Sequence, residues 1–373
     1  MIRIVLTGGG TGGHIYPLIA VLDELEKTGG DVRLSIIYLG PKSGFIEMFR
    51  ERGVRAHYIA SSKLRRYASL ENFIDAVKFP LSLIQALWHL YWIMPEVVFS
   101  KGGPGALAVV LAAWFYRIPV MIHESDSMPG LTSRISASFS AKIGIAFQSA
   151  ASYFPLKKVA LVGNPVRADL LINVPDSASA KSRLGFRNEE PLILVLGGSQ
   201  GSRKINEFIF NNLEAILKKY QIFHQVGDAN IDEAQTVTEE VSVKTGAKYR
   251  IAGMLDTIEL KNALKAADIV ISRAGSGAIY ELAAFGKPSI LIPLSSSAGD
   301  HQRYNALEYS KSGAAIIIEE NNFTANVFLR ELDDVLNDTA KMKTMGEQAK
   351  AFFRPDAGSV LASELLRLAG ARG

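Results

Sequence analysis

The sequence predicts an α/β protein of two doubly wound, parallel-sheet domains, and three observations predict it. The chain has 373 residues, more than one hydrophobic core commonly serves, since domains cluster near ~100–200 residues. Short Val/Ile/Leu runs alternate with longer segments of helical period, the pattern of buried parallel strands covered by helices. The alternation also starts twice in the same way: Ile2–Leu6 runs into a glycine turn at Gly8–Gly13, and Leu192–Leu196 runs into Gly197–Gly201.

Taken in order, the first half offers strands at Ile2–Leu6, Arg33–Leu39, Val97–Phe99 and Val120–His123. Helices are expected at Leu18–Leu25, Leu70–Ile93 and Ala106–Tyr116. After a Pro- and Ser-containing stretch, Asn173 to Ser182, strands recur at Leu192–Leu196, Ile222–Val226, Ile269–Ile271 and Ser289–Ile292. The expected domains are residues 1–163 and 164–349, both Rossmann-like. A C-terminal helix within about 350–373, apolar at helical spacing over Ser359–Leu368, is expected to pack back on the first. Ligands of open parallel sheets collect at the carboxyl ends of the strands, so two such domains are expected to face a cleft that holds the site.

Composition narrows the function. Hydrophobic residues make up 48% and charged residues 21%, the balance of a chain with large cores and not of a disordered or collagen-like one. The absence of Cys removes disulfides, thiolate metal sites and Cys nucleophiles, and fits a reducing compartment. A net charge of +4 suits an anionic substrate or membrane surface and is too small to imply nucleic acid. Met1 to Thr7 runs directly into a strand pattern, without signal-peptide features. The uncharged apolar stretch Phe79–Met94 is shorter than the ~20 residues needed to cross a bilayer, and Pro80 and Pro95 are expected to bracket it.

The first glycine turn, Thr7 to His14, carries five glycines between strand and helix, where exposed backbone N–H groups suit phosphate or sugar. A dinucleotide site would want an acid at the end of the second strand; Ile37-Tyr38-Leu39-Gly40 has none. A P-loop would want Lys where His14 stands. Two further loops, Gly197–Ser202 and Ser272–Glu281, make a nucleoside-diphosphate site plausible in the second half. Gly275, Ser276 and Gly277 open a helix that favours an anion, and Glu281 could accept ribose hydroxyls. The plainer alternative makes Ser276 an N-cap and Glu281 a solvated helix residue.

Six motifs in order now carry a resemblance: GGGTGGHIYP at Gly8–Pro17, His123-Glu124 followed by Pro129-Gly130-Leu131-Thr132, GNPVR at Gly163–Arg167, GGSQGS at Gly197–Ser202, SRAGSGAIYE at Ser272–Glu281 and HQRYNA at His301–Ala306. Together they resemble the MurG family of N-acetylglucosaminyltransferases of peptidoglycan synthesis. The resemblance implies a GT-B fold and an inverting transfer from UDP-N-acetylglucosamine to the C4 hydroxyl of MurNAc in lipid I, an undecaprenyl-pyrophosphoryl MurNAc-pentapeptide, giving lipid II. It implies that Thr11, Gly12 and Gly13 border the donor sugar and diphosphate, and that Arg167 and Ser199 contact the diphosphate. Ser276, Gly277 and Ala278 would offer backbone amides, Glu281 would hold ribose, Gln302 would meet the GlcNAc hydroxyls, and the Leu255 backbone would pair with uracil. The chain departs from the family pattern at Asp126, where Asn is usual; an ionised Asp only accepts hydrogen bonds.

Such a transfer needs a base for the acceptor hydroxyl. His14 leads, with an ordinary pKa of ~6.5, and Glu124, at the carboxyl end of its strand, is the second candidate, with loop orientation as its other role. No metal or cofactor is required; Asp300 and His301 are adjacent but do not make a ligand set. A lipid acceptor implies peripheral residence at the cytoplasmic face of the plasma membrane. Leu81, Ile84, Trp88 and Trp92 form one helical face, and Phe79, Leu83, Leu87, Leu90 and Met94 another, so this helix is either buried all round or set in an interface. Lys63, Arg65 and Arg66, with Lys78 near them, would meet anionic headgroups. The alternatives are another lipid-directed UDP-sugar transferase, for instance one acting on diacylglycerol, a UDP-N-acetylglucosamine epimerase, or an inactive nucleotide-sugar binder.

Overall fold

The computed structural model describes residues 1–28, 33–61, 70–198, 201–245 and 248–370. The chain divides into two units, Met1–Arg167 with Arg354–Gly373, and Ala168–Phe353. The first unit thus runs a few residues past Gly163 and takes in the whole GNPVR segment, Arg167 included.

The first unit holds a seven-stranded parallel sheet in the order β3-β2-β1-β4-β5-β6-β7. The strands are β1 (Ile2–Thr7), β2 (Leu34–Gly40), β3 (Arg55–Tyr58), β4 (Val97–Ser100), β5 (Val120–Glu124), β6 (Lys142–Ile145) and β7 (Val159–Leu161). In β1, side chains alternate between faces. Ile4 and Leu6 meet Leu18 and Leu22 of helix α1 (Gly12–Thr28), together with Leu361 and Leu365 of the C-terminal helix Ala357–Gly370. Val5 meets the opposite core, closed by Ala86 and Leu90 of α2 (Leu70–Ile93), Ala108 and Ala112 of α3 (Ala106–Phe115) and Ala137 of α4 (Leu131–Phe139). Pro80 lies inside α2 and does not bound it; the helix stops where Met94 turns to a φ of 46°, ahead of Pro95, which disfavours helical backbone before it.

The second unit holds a six-stranded parallel sheet in the order β10-β9-β8-β11-β12-β13, with β8 (Leu192–Leu196), β9 (Gln221–Gln225), β10 (Tyr249–Ala252), β11 (Ile269–Ser272), β12 (Ser289–Leu291) and β13 (Ala315–Ile317). Helix α5 (Arg203–Leu217) presents Ile205, Ile209 and Leu213 to Ile193 and Val195 of β8. Helices α6 (Thr257–Ala266), α7 (Ser276–Phe285) and α8 (His301–Ser310) follow. Asp256 and Glu259 close a reciprocal capping box that starts α6.

Strand order reverses between β1 and β4 in one sheet and between β8 and β11 in the other. The loops leaving these strands diverge to opposite faces and open a crevice at the carboxyl edge, the usual ligand position in such sheets. The glycine turns occupy these positions in each unit.

Candidate active site

In the first unit, the turns after β1 and β4 are stitched together. Lys101 N–H donates to Thr7 O at 2.8 Å, and Gly9 N–H donates to Gly102 O at 2.8 Å. A Cβ on Gly9 would lie 2.7 Å from Pro104 Cδ, so this approach requires glycine. The buried Tyr38 hydroxyl donates to Gly8 O at 3.1 Å and holds the turn from beneath. Thr11, Gly12, Gly13 and His14 therefore sit on a rigid turn and the first turn of α1. Thr11 Oγ1 and His14 Nδ1 are 2.9 Å apart. Burial pushes the His14 imidazole down to about 4; the charge of Lys101 adds to this and Asp126 opposes it. At neutral pH the ring is uncharged, half-buried and able to accept a proton.

Glu124 ends β5 almost fully buried. Its Oε1 accepts from Asp126 N–H at 2.9 Å, and the Ser133 hydroxyl also bonds it. Burial and the neighbouring Asp126 raise its pKa, with Lys101 opposing. With those bonds made, the carboxylate holds the 124–126 turn in shape. His123 Nε2 lies 2.8 Å from Gly163 O and burial keeps its ring uncharged. The Arg167 guanidinium stands over the Tyr16 ring, 4.4 Å from its centroid, beside the first unit's glycine turn.

Sequence reasoning missed Lys101. It follows the fully buried strand Val97–Ser100, is only 3% exposed, and its ammonium has no hydrogen-bond partner among the described residues. Burial lowers it to about 8, against the charges of Glu124 and Asp126. The signal available was a lysine between an apolar strand and Gly102-Gly103-Pro104-Gly105.

In the second unit, Gly275 is the N-cap of α7 and Ser276 its first helical residue, so the N-cap alternative for Ser276 does not hold. The Ser276 hydroxyl is buried without a hydrogen-bond partner among the described residues, beside the first-turn amides of Gly277 and Ala278 at a positive helix end. Glu281 lies in the same helix, partly buried. Gln302 in α8 accepts from Leu294 N–H at 3.0 Å, and Leu255 is buried just ahead of the α6 cap. Ser199 lies outside the described residues. Arg273 ties the loops together: its Nε donates to Ser202 Oγ at 3.0 Å, and its guanidinium lies 2.7 Å from Glu320, which also receives Lys204 at 3.0 Å and the Ser295 hydroxyl. This bridge links the segments that follow β8, β11, β12 and β13, and was not legible in the sequence.

The apolar helix resolves into two unlike faces. Leu81, Ile84, Trp88 and Trp92 are exposed, the tryptophans at 62% and 68%, while Phe79, Leu83, Leu87 and Leu90 join the core. Met94, expected on the second face, is exposed beyond the helix end. Tyr91, Trp114 and Phe115 are also exposed. Lys63, Arg65 and Arg66 lie outside the described residues. Among the described residues no helix is long and apolar enough to cross a membrane.

Two doubly wound parallel sheets, each with a glycine turn at its switch point, define the two-domain α/β architecture of the GT-B class. The sequence matches the glycosyltransferase family 28 N-terminal domain over residues 4–145 and the C-terminal domain over residues 192–361. The chain belongs to glycosyltransferase family 28. It is 36% identical to a Clostridium tetani protein over 91% of each chain. It is 39% identical to one from Legionella pneumophila strain Lens over 89% of this chain and 88% of that one. Both are named UDP-N-acetylglucosamine–N-acetylmuramyl-(pentapeptide) pyrophosphoryl-undecaprenol N-acetylglucosamine transferase. Among solved structures, Acinetobacter baumannii MurG superposes with a TM-score of 0.75 at 23% identity, covering 98% of this chain and all of that one. The UDP-GlcNAc 2-epimerase of Neisseria meningitidis, bound to UDP-GlcNAc, superposes at 0.70 with 13% identity, covering 98% and 100%. These two likenesses speak to fold alone.

Proposed function

We propose that this chain transfers N-acetylglucosamine from UDP-N-acetylglucosamine to the C4 hydroxyl of MurNAc in lipid I, forming lipid II for peptidoglycan and hence for cell-wall growth, shape and division. The observation that carries the reading is end-to-end likeness, 36–39% identity over about nine-tenths of the chain, to relatives named for this reaction.

In this reading His14 Nε2 takes the C4 hydroxyl proton as the O4–C1 bond forms, while Nδ1–H donates to Thr11 Oγ1 and fixes the tautomer. The C1–O bond to the β-phosphate breaks, and UDP leaves with the electron pair. One in-line displacement inverts the anomeric carbon. The amides of Ser276, Gly277 and Ala278, with the Ser276 hydroxyl, hold the diphosphate and bond it more strongly as charge develops. Arg167 and Ser199 assist there, Thr11, Gly12 and Gly13 border the sugar, Glu281 accepts ribose hydroxyls, Gln302 meets the GlcNAc hydroxyls, and the Leu255 backbone pairs with uracil. Glu124 keeps the Asp126 turn in place and does not move the proton; Asp126 meets the substrate by acceptance.

The acceptor's polyprenyl chain places the work at the cytoplasmic face of the plasma membrane. Leu81, Ile84, Trp88 and Trp92 enter the interface, and Lys63, Arg65 and Arg66 meet anionic headgroups at ~1 kcal/mol each. Incubating the protein and UDP-N-acetylglucosamine with lipid I, with diacylglycerol, and without lipid separates the readings. Lipid II formed only in the first is the expected result; diacylglycerol glycoside, or epimerised sugar without lipid, overturns it. Glu281→Ala should weaken UDP-N-acetylglucosamine binding, and unchanged affinity removes its ribose role.

A further inference from the structure

In the second unit, the loops that leave β9 and β10 are joined at two points. Val226 N–H donates to Ala252 O at 2.9 Å, and two residues further along each segment Met254 N–H donates to Asp228 Oδ1 at 2.8 Å. Asp228 springs from a fixed base. The side-chain amides of Asn206, in α5, and of Asn230 both donate to Val226 O at 2.9 Å, and Gly227 turns the chain with a φ of 87°. The approach of the two loops needs glycine at 253, because a Cβ there would collide with Asp228 Oδ1. The segment is also held on its far side: Asp256 N–H donates to Glu259 Oε2 at 3.0 Å in the capping box of α6. Between these two clamps the Leu255 side chain is buried. Among the described residues, no hydrogen bond engages the Leu255 N–H or C=O. A backbone donor and acceptor fixed in this way suit a ligand edge that offers one acceptor and one donor side by side.

We propose that Asp228 is a positioning residue for nucleobase selection: by holding the Met254 amide, its carboxylate orients the 253–255 backbone and so matches the Leu255 N–H and C=O to uracil and not to cytosine. The role rests on the reading that this backbone pairs with uracil. Uracil presents O4 as an acceptor beside N3–H as a donor, whereas cytosine presents an amino donor beside N3 as an acceptor. An N–H and a C=O fixed in one order fit the first edge and set like against like on the second. Discrimination of this kind is steep only where the protein groups are held in place, since a loose segment turns to suit either edge. Asp228 touches no atom of the nucleotide in this role and acts through Met254.

The test measures UDP and CDP affinity by calorimetry on the full chain, for wild type, Asp228→Ala, Asp228→Asn, Gly253→Ala and the Asp228→Ala/Gly253→Ala double variant, each checked for folding by thermal melting. Wild type should prefer UDP. In Asp228→Ala the preference for UDP over CDP should fall about fivefold or more, with CDP affinity nearly unmoved, and hydrogen exchange at the Met254 amide should quicken. Asp228→Asn keeps an acceptor in place and should retain most of the preference. Gly253→Ala displaces the carboxylate and should reproduce the Asp228→Ala loss, and the double variant should lose no more than either single one. A preference unchanged in Asp228→Ala, or both nucleotides weakened equally, overturns the proposal and leaves the uracil pairing standing. Wild type that binds UDP and CDP alike overturns the pairing itself, and with it any part for Asp228 in selection.

Discussion

Gly103 faces His14 so closely that a Cβ at residue 103 would stand 2.9 Å from His14 Nε2 and 2.8 Å from Gly9 Cα. Its φ of 85° is also open mainly to glycine. The turn after β4 thus leaves the imidazole nitrogen uncovered only while residue 103 has no side chain. Gly103→Ala should lower kcat/KM by about tenfold or more through strain and a covered Nε2. Steady-state kinetics at constant fold, checked by thermal melting, measures it; wild-type kinetics would show Nε2 does not need that space.

His14→Ala should lower kcat by ~100-fold or more with a small change in KM. Thr11→Val removes the partner 2.9 Å from Nδ1 and should cost less, since the ring stays and only its tautomer is freed. A change confined to KM in both variants would make the pair a binding element.

Burial acts to raise the Glu320 carboxyl, but hydrogen bonds from Ser295, Lys204 and Arg273 outweigh it and hold the group down to about 2. Glu320→Ala leaves the Arg273 guanidinium, 11% exposed, beside Ser202 without its carboxylate. The expected loss is ~3 kcal/mol of stability, with weaker UDP binding as the loops after β8 and β11 part. Urea denaturation and calorimetry read the two effects separately.

His224 is fully buried between Asn206 Oδ1 at 3.1 Å and the Tyr249 hydroxyl at 3.0 Å, and burial lowers it to about 3. The unfolded chain binds this proton near the ordinary ~6.5 and the folded chain does not, so stability falls as pH drops below that value. Between pH 7 and 5 this one group should remove ~2 kcal/mol. Denaturant midpoints across that window check it, and an uncharged His224→Gln variant should show a shallower decline.

Trp88→Glu with Trp92→Glu should abolish most binding to anionic liposomes while leaving turnover of a short-chain acceptor near wild type. Phe115→Glu should act in the same direction, because Phe115 is as exposed as the tryptophans, at 66%. Sedimentation with vesicles measures it, and undiminished binding by both variants removes this surface from the membrane contact.

The motif residues were legible because each glycine turn adjoins a long apolar strand that local pattern reveals. Five strands were not: Arg55–Tyr58, Val159–Leu161, Tyr249–Ala252 and Ala315–Ile317 are partly buried edge strands and Lys142–Ile145 lies next to an edge, so they lack the unbroken apolar run that marks equally short central strands such as Val97–Ser100. Pro80 misled for a related reason. A proline forfeits one backbone bond, but a helix whose inner face is held by Leu83, Ala86 and Leu90 against the sheet tolerates that loss.

By itself the sequence determined two strand–glycine–helix starts, a chain without thiols, a second strand without the acid a dinucleotide site wants, and a His14 where a P-loop wants Lys. These are local properties, set by side chains adjacent along the chain. Strand order decided the rest. Placing β4 beside β1 brought Lys101 and Gly103 onto His14, placing β11 between β8 and β12 let Arg273 bridge Ser202 to Glu320, and folding α3 onto α2 sorted the apolar helix into a buried and an exposed face. Burial and charge act through space between segments far apart in sequence, and no local pattern encodes that distance.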